Sequence, residues 1–245
     1  MSTPELSLVL PTYNERENLA PLLGRLSAVL RPYAHEIIVV DDDSPDGTGE
    51  EAERLRAVHP AVRVVRRQGE RGLSSAVIRG FREARGRVVG VMDADLQHDE
   101  AVIPALLEAV AEAEFAVASR AAPGGGTGAW AARRKVTSWI AAALARAVLD
   151  VPLSDPMSGF FMMPRSLFAR LDEGGLRPEG FKVLLYLYVQ AVQALGRPNV
   201  RVLEVGFTFR ERLHGRSKLT PRVMREYVAM LFELRRSAQI SWESP

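Results

Sequence analysis

The chain contains no cysteine. Disulfides, thiolate zinc sites and iron–sulfur clusters are therefore excluded, and stability has to come from packing. The segment Met1–Glu5 has neither the basic nor the apolar region of a signal peptide and runs straight into a strand-like stretch, so export is not expected. Long apolar runs are missing too. The longest apolar helical stretch, Val136–Val151, is interrupted by Arg146 and Asp150 and falls short of the roughly 20 residues that span a bilayer. No G-x-G-x-x-G or G-x-x-x-x-G-K-[ST] run occurs, which removes the sequence grounds for a dinucleotide oxidoreductase or a P-loop enzyme. There is no internal repeat and no low-complexity tract. The basic residues lack the interleaved aromatics of a nucleic-acid binder, so no nucleic-acid partner is expected.

What is present is an ordinary globular composition with an uneven charge. At 245 residues the chain fits one domain, with or without an appendage. A chain of this length buries roughly 70–75% of its extended surface. Residues 1–118 carry 13 Arg and no Lys against 20 Asp and Glu, a net of −7, whereas residues 119–245 carry 19 Lys and Arg against 10 acids, a net of +9. An acidic half joined to a basic half suits a cation-binding region beside an anion-binding one, although chance gives the same asymmetry.

The first 119 residues alternate short apolar runs with helical patterns. Strands are expected at Leu6–Leu10, Glu36–Val40, Val62–Val65, Val88–Met92 and Phe115–Ala118, with helices near Asn18–Leu30, Gly49–Val58, Ser74–Ala84 and Ala101–Ala113. Continuous apolarity in the first, second and fourth strands suits a parallel sheet with helices on both faces. The glycine run Pro123–Gly128 breaks this pattern and reads as a mobile loop. Beyond it the expected elements are a basic-to-apolar helix ending at Leu149, a strand at Gly159–Met163, helices near Arg165–Leu171 and Lys182–Leu195, a strand within Val200–Phe209 and a last helix from Pro221 to about Ser237.

In such sheets ligands bind beyond the carboxyl ends of the strands, and three of those ends are polar: Pro11-Thr12-Tyr13-Asn14-Glu15, Asp41-Asp42-Asp43 and Asp93-Ala94-Asp95-Leu96-Gln97. Two carboxylates two residues apart after a buried strand can hold a hard divalent cation together with diphosphate oxygens. The plainer alternative for Asp93 and Asp95 is a solvated helix cap. Asp42 stands where an acid accepts hydrogen bonds from a ribose or base, or else merely leads into the turn Ser44-Pro45-Asp46-Gly47. His98 lies beside the carboxylates, but the four histidines are scattered and its structural reading is preferred.

These segments, with Val39–Thr48, Met92–His98, Ser154–Phe161 and Gly180–Leu185, together resemble family 2 glycosyltransferases, and within them the polyprenol-phosphate (dolichol-phosphate) mannose synthases. The resemblance runs from about Leu6 to Lys218. It implies a GT-A, Rossmann-like α/β fold with a mostly parallel sheet, helices on both faces and a C-terminal helical acceptor region. The implied division is a catalytic domain over residues 1–218, nucleotide and metal half 1–119 and acceptor half 120–218, followed by an amphipathic helix and tail over 219–245. It also implies that Pro11, Tyr13, Glu15, Val40, Asp42, Asp93 and Ala94 line the nucleotide pocket with Arg212 and Lys218. Asp93, Asp95 and Gln97 would surround Mg2+ or Mn2+, Arg120 would face the phosphates, and Arg134 and Ser138 would meet the acceptor phosphate beside Arg120. Arg133, Arg216 and Arg222 read as solvated. Tyr186 stands where the family often has Glu, and Asp43 where Gly is usual.

The reaction so implied is metal-dependent, inverting transfer of a hexose, mannose from GDP-mannose first, to polyprenyl or dolichyl phosphate. A phosphate monoester is already ionised at neutral pH and needs no general base. A UDP-sugar donor or another acceptor stays open within the class. A nucleotidyltransferase or a non-catalytic sugar-nucleotide binding module stays open outside it. The location implied is the cytoplasmic face of a membrane, reached either through apolar helical faces, Trp139, Ile140, Ala143, Leu144 and Val148 or the 223–234 stripe, or through a separate anchoring subunit.

Overall fold

The computed structural model describes residues 3–128, 130, 132–176, 182–211 and 221–242. Seven strands form one sheet: β1 (Leu6–Thr12), β2 (His35–Asp41), β3 (Val62–Arg66), β4 (Val88–Val91), β5 (Phe115–Ser119), β6 (Phe161–Pro164) and β7 (Val202–Gly206). Their order is β3-β2-β1-β4-β6-β5-β7. All neighbours pair in parallel except β6, which runs antiparallel between β4 and β5. The crossovers are α1 (Arg16–Val29), α2 (Thr48–Leu55), α3 (Leu73–Glu83) and α4 (Ile103–Val110), the last preceded by a 3-10 turn at Glu100–Val102. The second half contributes α5 (Ala132–Leu149), α6 (Arg165–Asp172), α7 (Val183–Leu195) and α8 (Pro221–Trp242).

Successive strand residues point to opposite faces, and each face has its own core. Leu6, Leu8 and Leu10 of β1 pack with Leu19, Leu22, Leu26 and Leu106 of α1 and α4. Val9, Ile38, Val40 and Val117 pack with α3, α5, α6, α7 and α8 on the other side. This is why the central strands read as continuously apolar. Gly80 brings α3 close to the sheet, since a Cβ there would stand 2.5 Å from Val9 Cγ1.

Helices α5 and α8 share this second core. Tyr227, Met230, Leu231 and Leu234 of α8 are buried, and the Tyr227 hydroxyl donates to Ala141 O at 2.9 Å. The apolar stripe of α8 therefore faces protein where it is described, because burying each such side chain is worth about 1.5–3 kcal/mol. The side chain of Val223 lies outside the described residues. Helix α5 buries Ala141, Ala145 and Leu149 but exposes Val136, Trp139 and Ile140 at 56%, 67% and 54%. Leu144 and Val148, on the face expected to be exposed with Trp139, are instead partly buried against the core. No helix among the described residues is long and apolar enough to cross a membrane.

The glycine run also differs from expectation. Gly126 donates to Phe207 O at 3.0 Å and accepts from Phe209 N at 2.9 Å, so main-chain bonds lace the segment to the stretch after β7.

Candidate active site

Three parallel strands end in residues with positive φ: Asn14 (59°) after β1, Asp43 (55°) after β2 and Leu96 (63°) after β4. Left-handed backbone costs a side chain least when it is Asn or Asp. Asn14 and Asp43 are therefore residues that tolerate these positions. Leu96 has no such excuse, and a strained residue next to the Asp93–Asp95 pair marks a place where the loop's geometry is held by its surroundings.

The three aspartates after β2 divide their work. Asp41 is fully buried and spent on the loop: Oδ1 accepts from Thr12 Oγ1 (3.0 Å) and Ser44 Oγ (2.5 Å), and Oδ2 from Ser44 N (3.1 Å). Asp42 turns toward the loop that follows β3. Its Oδ2 accepts from Gly72 N at 2.8 Å, and its Oδ1 lies 3.3 Å from Arg67 Nε without an aligned hydrogen bond. Burial pushes this carboxyl above the ordinary aspartate range, and the Gly72 N–H and Arg67 pull it back only in part. Arg71, on the same loop, stacks 4.8 Å over the Tyr13 ring.

Around this corner, Glu15 accepts from Asn18 Nδ2 (2.7 Å) and its own N–H donates to Thr48 Oγ1 (3.0 Å). Pro11 and Val40 are register partners in β1 and β2, and both are buried. Val40 packs against Gly80, so it can offer a ligand only backbone. Tyr13 and Asp42 are thus both in contact with the loop after β3, through Arg71 and Gly72, and the buried Arg67 lies beside Asp42. Nothing in the pair Arg66-Arg67 distinguishes it from a solvated charge run.

A second cluster forms after β4 and β5. Asp93 is half-buried; its Oδ2 lies 3.3 Å from His98 Nε2, and a Cβ on Gly159 would come within 2.7 Å of that same oxygen. The His98 ring is buried, 5.1–5.5 Å from the centroids of Phe160, Phe207 and Phe209. The ring packs among these aromatics with Nε2 turned toward Asp93. Asp95 is 6% exposed and accepts from Gln97 N at 3.1 Å. Ala94 is buried between the two acids. Gln97 is buried as well, and its amide donates to Arg210 O at 3.1 Å, tying the loop to the segment that precedes residue 212.

Arg120, at the end of β5, gives Nε and Nη2 to Asp155 at 2.6 and 2.7 Å and lies 5.1 Å over Trp130. Burial would raise the Asp155 carboxyl, but the guanidinium outweighs it and holds the group below the ordinary range. Glu204 of β7 fixes the loop from behind, accepting from Ser154 N and Asp155 N at 3.0–3.2 Å. Lys182 donates to Met157 O at 2.9 Å. Burial draws its ammonium down to about 8, against the opposing pull of Asp93. Asp155, Glu204 and Lys182 take parts that the sequence did not assign, because their partners lie 25 to 89 residues away.

Ser138 lies half-buried on α5. Arg134 and Arg133 are on the same helix, with side chains outside the described residues, as is that of Arg222 on α8. Arg212, Arg216, Lys218, Gly180 and Phe181 also lie outside the described residues.

The donor chemistry at Asp93 and Asp95 fits magnesium or manganese: both ligands are hard carboxylate oxygens, and Gly159 leaves room directly against Asp93. Among the described residues no set of three or more His, Cys, Asp or Glu converges. A cation here would complete its shell from water and substrate phosphates, which is the habit of these ions.

Comparison with known proteins bears on this site. Residues 7–172 match the sequence model of Glycosyl transferase family 2. The dolichol-phosphate mannosyltransferase of Pyrococcus furiosus is 42% identical over 98% of this chain, which spans 64% of that protein's length. The Saccharomyces cerevisiae dolichol-phosphate mannosyltransferase is 40% identical over 94% of this chain and 86% of its own. The undecaprenyl-phosphate mannosyltransferase of Micrococcus luteus is 35% identical over 90% and 89%. Among solved structures, a mannosyltransferase from Pyrobaculum calidifontis in complex with GDP-Man and Mn2+ superposes with a TM-score of 0.64 at 18% identity, covering 98% of this chain and 65% of that one. Glucosyl-3-phosphoglycerate synthase from Mycobacterium tuberculosis, in complex with Mn2+, UDP-glucose and phosphoglyceric acid, gives 0.69 at 21% identity, covering 96% and 79%.

Proposed function

Because this chain belongs to glycosyl transferase family 2 and has the GT-A architecture, we propose that it transfers mannose from GDP-mannose to a polyprenyl phosphate, inverting the anomeric centre. The observation that carries the reading is the naming of its relatives: archaeal, fungal and bacterial proteins at 35–42% identity over at least 90% of the chain are all named for moving mannose onto a prenyl phosphate.

The site supports it. Asp42, Tyr13 and the Arg67–Gly72 loop would take the nucleoside. Asp93 and Asp95 would hold Mg2+ or Mn2+, which supplies positive charge to the departing diphosphate. Lys182, whose ammonium feels the charge of Asp93, would add cationic charge there, and Arg120, Arg212 and Lys218 would complete it. Arg134 and Ser138 would receive the acceptor phosphate. The carboxylates of the second cluster suit an acceptor that arrives already ionised. Asp155 is held by Arg120 with its affinity for protons lowered, a poor general base, and Asp41 is spent on Thr12 and Ser44. Catalysis then rests on positioning and charge.

The exposed Val136, Trp139 and Ile140, beside the sequence cluster Arg133–Lys135, would rest on the cytoplasmic surface of a membrane holding the acceptor. The test is incubation with Mg2+ or Mn2+, polyprenyl phosphate and labelled GDP-mannose or UDP-glucose in parallel. Mannosyl-lipid from GDP-mannose is expected. Faster transfer from UDP-glucose, or label released as free sugar with no lipid product, would overturn the reading.

A further inference from the structure

Glu204 is a carboxylate on a strand face that packs against the core. It lies in β7 opposite Val117 of β5. That valine belongs to the core shared with α5, α6 and α7, and Val202, on the same face of β7 as Glu204, packs against it. Turning a carboxylate toward such a face is costly unless donors meet it. They do: Oε1 accepts from Ser154 N at 3.1 Å and Asp155 N at 3.2 Å, and Oε2 from Ser154 N at 3.0 Å. An apolar residue would serve the sheet as well, but it would take this acceptor from two loop amides.

The loop so held carries the clamp on Arg120. Ser119 Oγ, 2.7 Å from Ser154 Oγ, and Arg146, whose Nη1 donates to Ser154 O at 2.9 Å, support it through Ser154. Of the three, Glu204 is the one that also takes the amide of Asp155. Asp155, 4% exposed, grips Nε and Nη2 of Arg120 along one edge of the guanidinium. The guanidinium also lies 5.1 Å over the Trp130 ring and 5.5 Å over that of Phe209. A planar fork held on its edge and against rings has a fixed orientation, with Nη1 directed away from Asp155.

We propose that Glu204 is a positioning residue for the transfer reaction: through the amides of Ser154 and Asp155 it sets the carboxylate that aims Nη1 of Arg120 at the departing diphosphate. The inference rests on the proposed function, in which Arg120 faces the phosphates. A fixed charge aimed where charge develops stabilises the transition state most, and a small misplacement loses much of that. Glu204 therefore acts on kcat without touching substrate.

Two readouts test this, one of them free of any substrate. In protein labelled with 5-fluorotryptophan, the Trp130 resonance, assigned with Trp130→Phe, should shift in Glu204→Gln because the guanidinium over the ring moves. The resonance of the exposed Trp139 should not. Glutamine keeps the size of the side chain but sets an NH2 donor against the loop amides. With Mn2+, GDP-mannose and polyprenyl phosphate, Glu204→Gln should lower kcat per folded molecule roughly tenfold and leave the KM for GDP-mannose nearly unmoved, the pattern of a contact made only in the transition state. In an Arg120→Lys background, where the side-on pair with Asp155 cannot form, the same substitution should cost almost nothing further. Asp155→Asn breaks the chain of contacts one step later and is the second variant, expected to move the same resonance and the same rate. A Trp130 resonance unshifted in both variants, kcat per folded molecule unchanged, or losses that multiply in the Arg120→Lys background would overturn the proposal. If the wild type transfers no mannose, the proposed function fails, and the Trp130 resonance still decides whether Glu204 places Arg120.

Discussion

The two ends of the sheet bury charge in opposite ways. At the amino end, Glu36 is 6% exposed and fully served: Oε1 accepts from Ser7 Oγ (2.6 Å) and Arg85 N (2.7 Å), Oε2 from Arg63 Nη1 (2.9 Å). Burial would raise this carboxyl, and those donors together hold it below the ordinary glutamate range. At the carboxyl end, Asp42 is just as buried but ends up raised, and Asn18 Oδ1, Arg67 Nη1, Ser74 Oγ and His98 Nδ1 are buried there without partners among the described residues. Native structures leave few such groups, and each calls for an explanation. On the proposed function, the difference separates charge that holds the fold from charge kept for a ligand.

The comparison breaks first, and most, at the metal carboxylates. Asp95→Ala should lower kcat per folded molecule at least about a hundredfold, the scale on which such electrostatic contacts act; chelator should lower the wild type's activity likewise. Retention of more than about a tenth of the activity would remove the site. Next in size, Glu36→Gln should cost about 1–3 kcal/mol in urea unfolding while leaving kcat per folded molecule intact, since buried donors lose their acceptor. A depressed carboxyl contributes its full stabilisation above the unfolded pKa of about 4.3 and loses it as pH falls through the lower folded value. The gap between wild type and variant should therefore close as the acid limb is titrated. A gap that stays constant with pH would mean that the charge of Glu36 contributes nothing.

A smaller effect should sharpen the division within the carboxyl end itself. Arg134→Ala and Ser138→Ala are expected to raise the KM for polyprenyl phosphate about tenfold, the loss of one good contact, with GDP-mannose affinity nearly unchanged. Collapse of donor affinity instead would place α5 on the wrong substrate. Smallest of all, Trp139→Ser should reduce binding to anionic vesicles severalfold in low-salt sedimentation. Unchanged sedimentation, or none in the wild type with acceptor present, would favour a separate anchoring subunit.

Most of the frame was legible in the residues. Apolar runs such as Ile37–Val40 mark both-face-buried strands, and their polar ends locate the cleft. Less legible was whatever depends on distant partners. The antiparallel insertion of β6 is not written in Phe161–Pro164, whose four residues suit either direction. The roles of Arg67, Glu204 and Lys182 exist only once loops far apart in sequence meet. The glycine run reads as mobile because glycine permits motion, yet Phe207 and Phe209 supply main-chain partners for Gly126. Helix α8 shows the limit of amphipathicity as a signal: its stripe fits a membrane or a core equally, and the packing of Tyr227 and Leu231 decides.

Titration calorimetry of GDP-mannose, with Mn2+ present, into the wild type, Asp42→Asn and Glu36→Gln tests the contrast between the two ends most directly. The account predicts that Asp42→Asn weakens binding at least about tenfold, as the loss of a charged acceptor should, while Glu36→Gln binds as the wild type does. Wild-type affinity in Asp42→Asn, or an equal loss in Glu36→Gln, would contradict it.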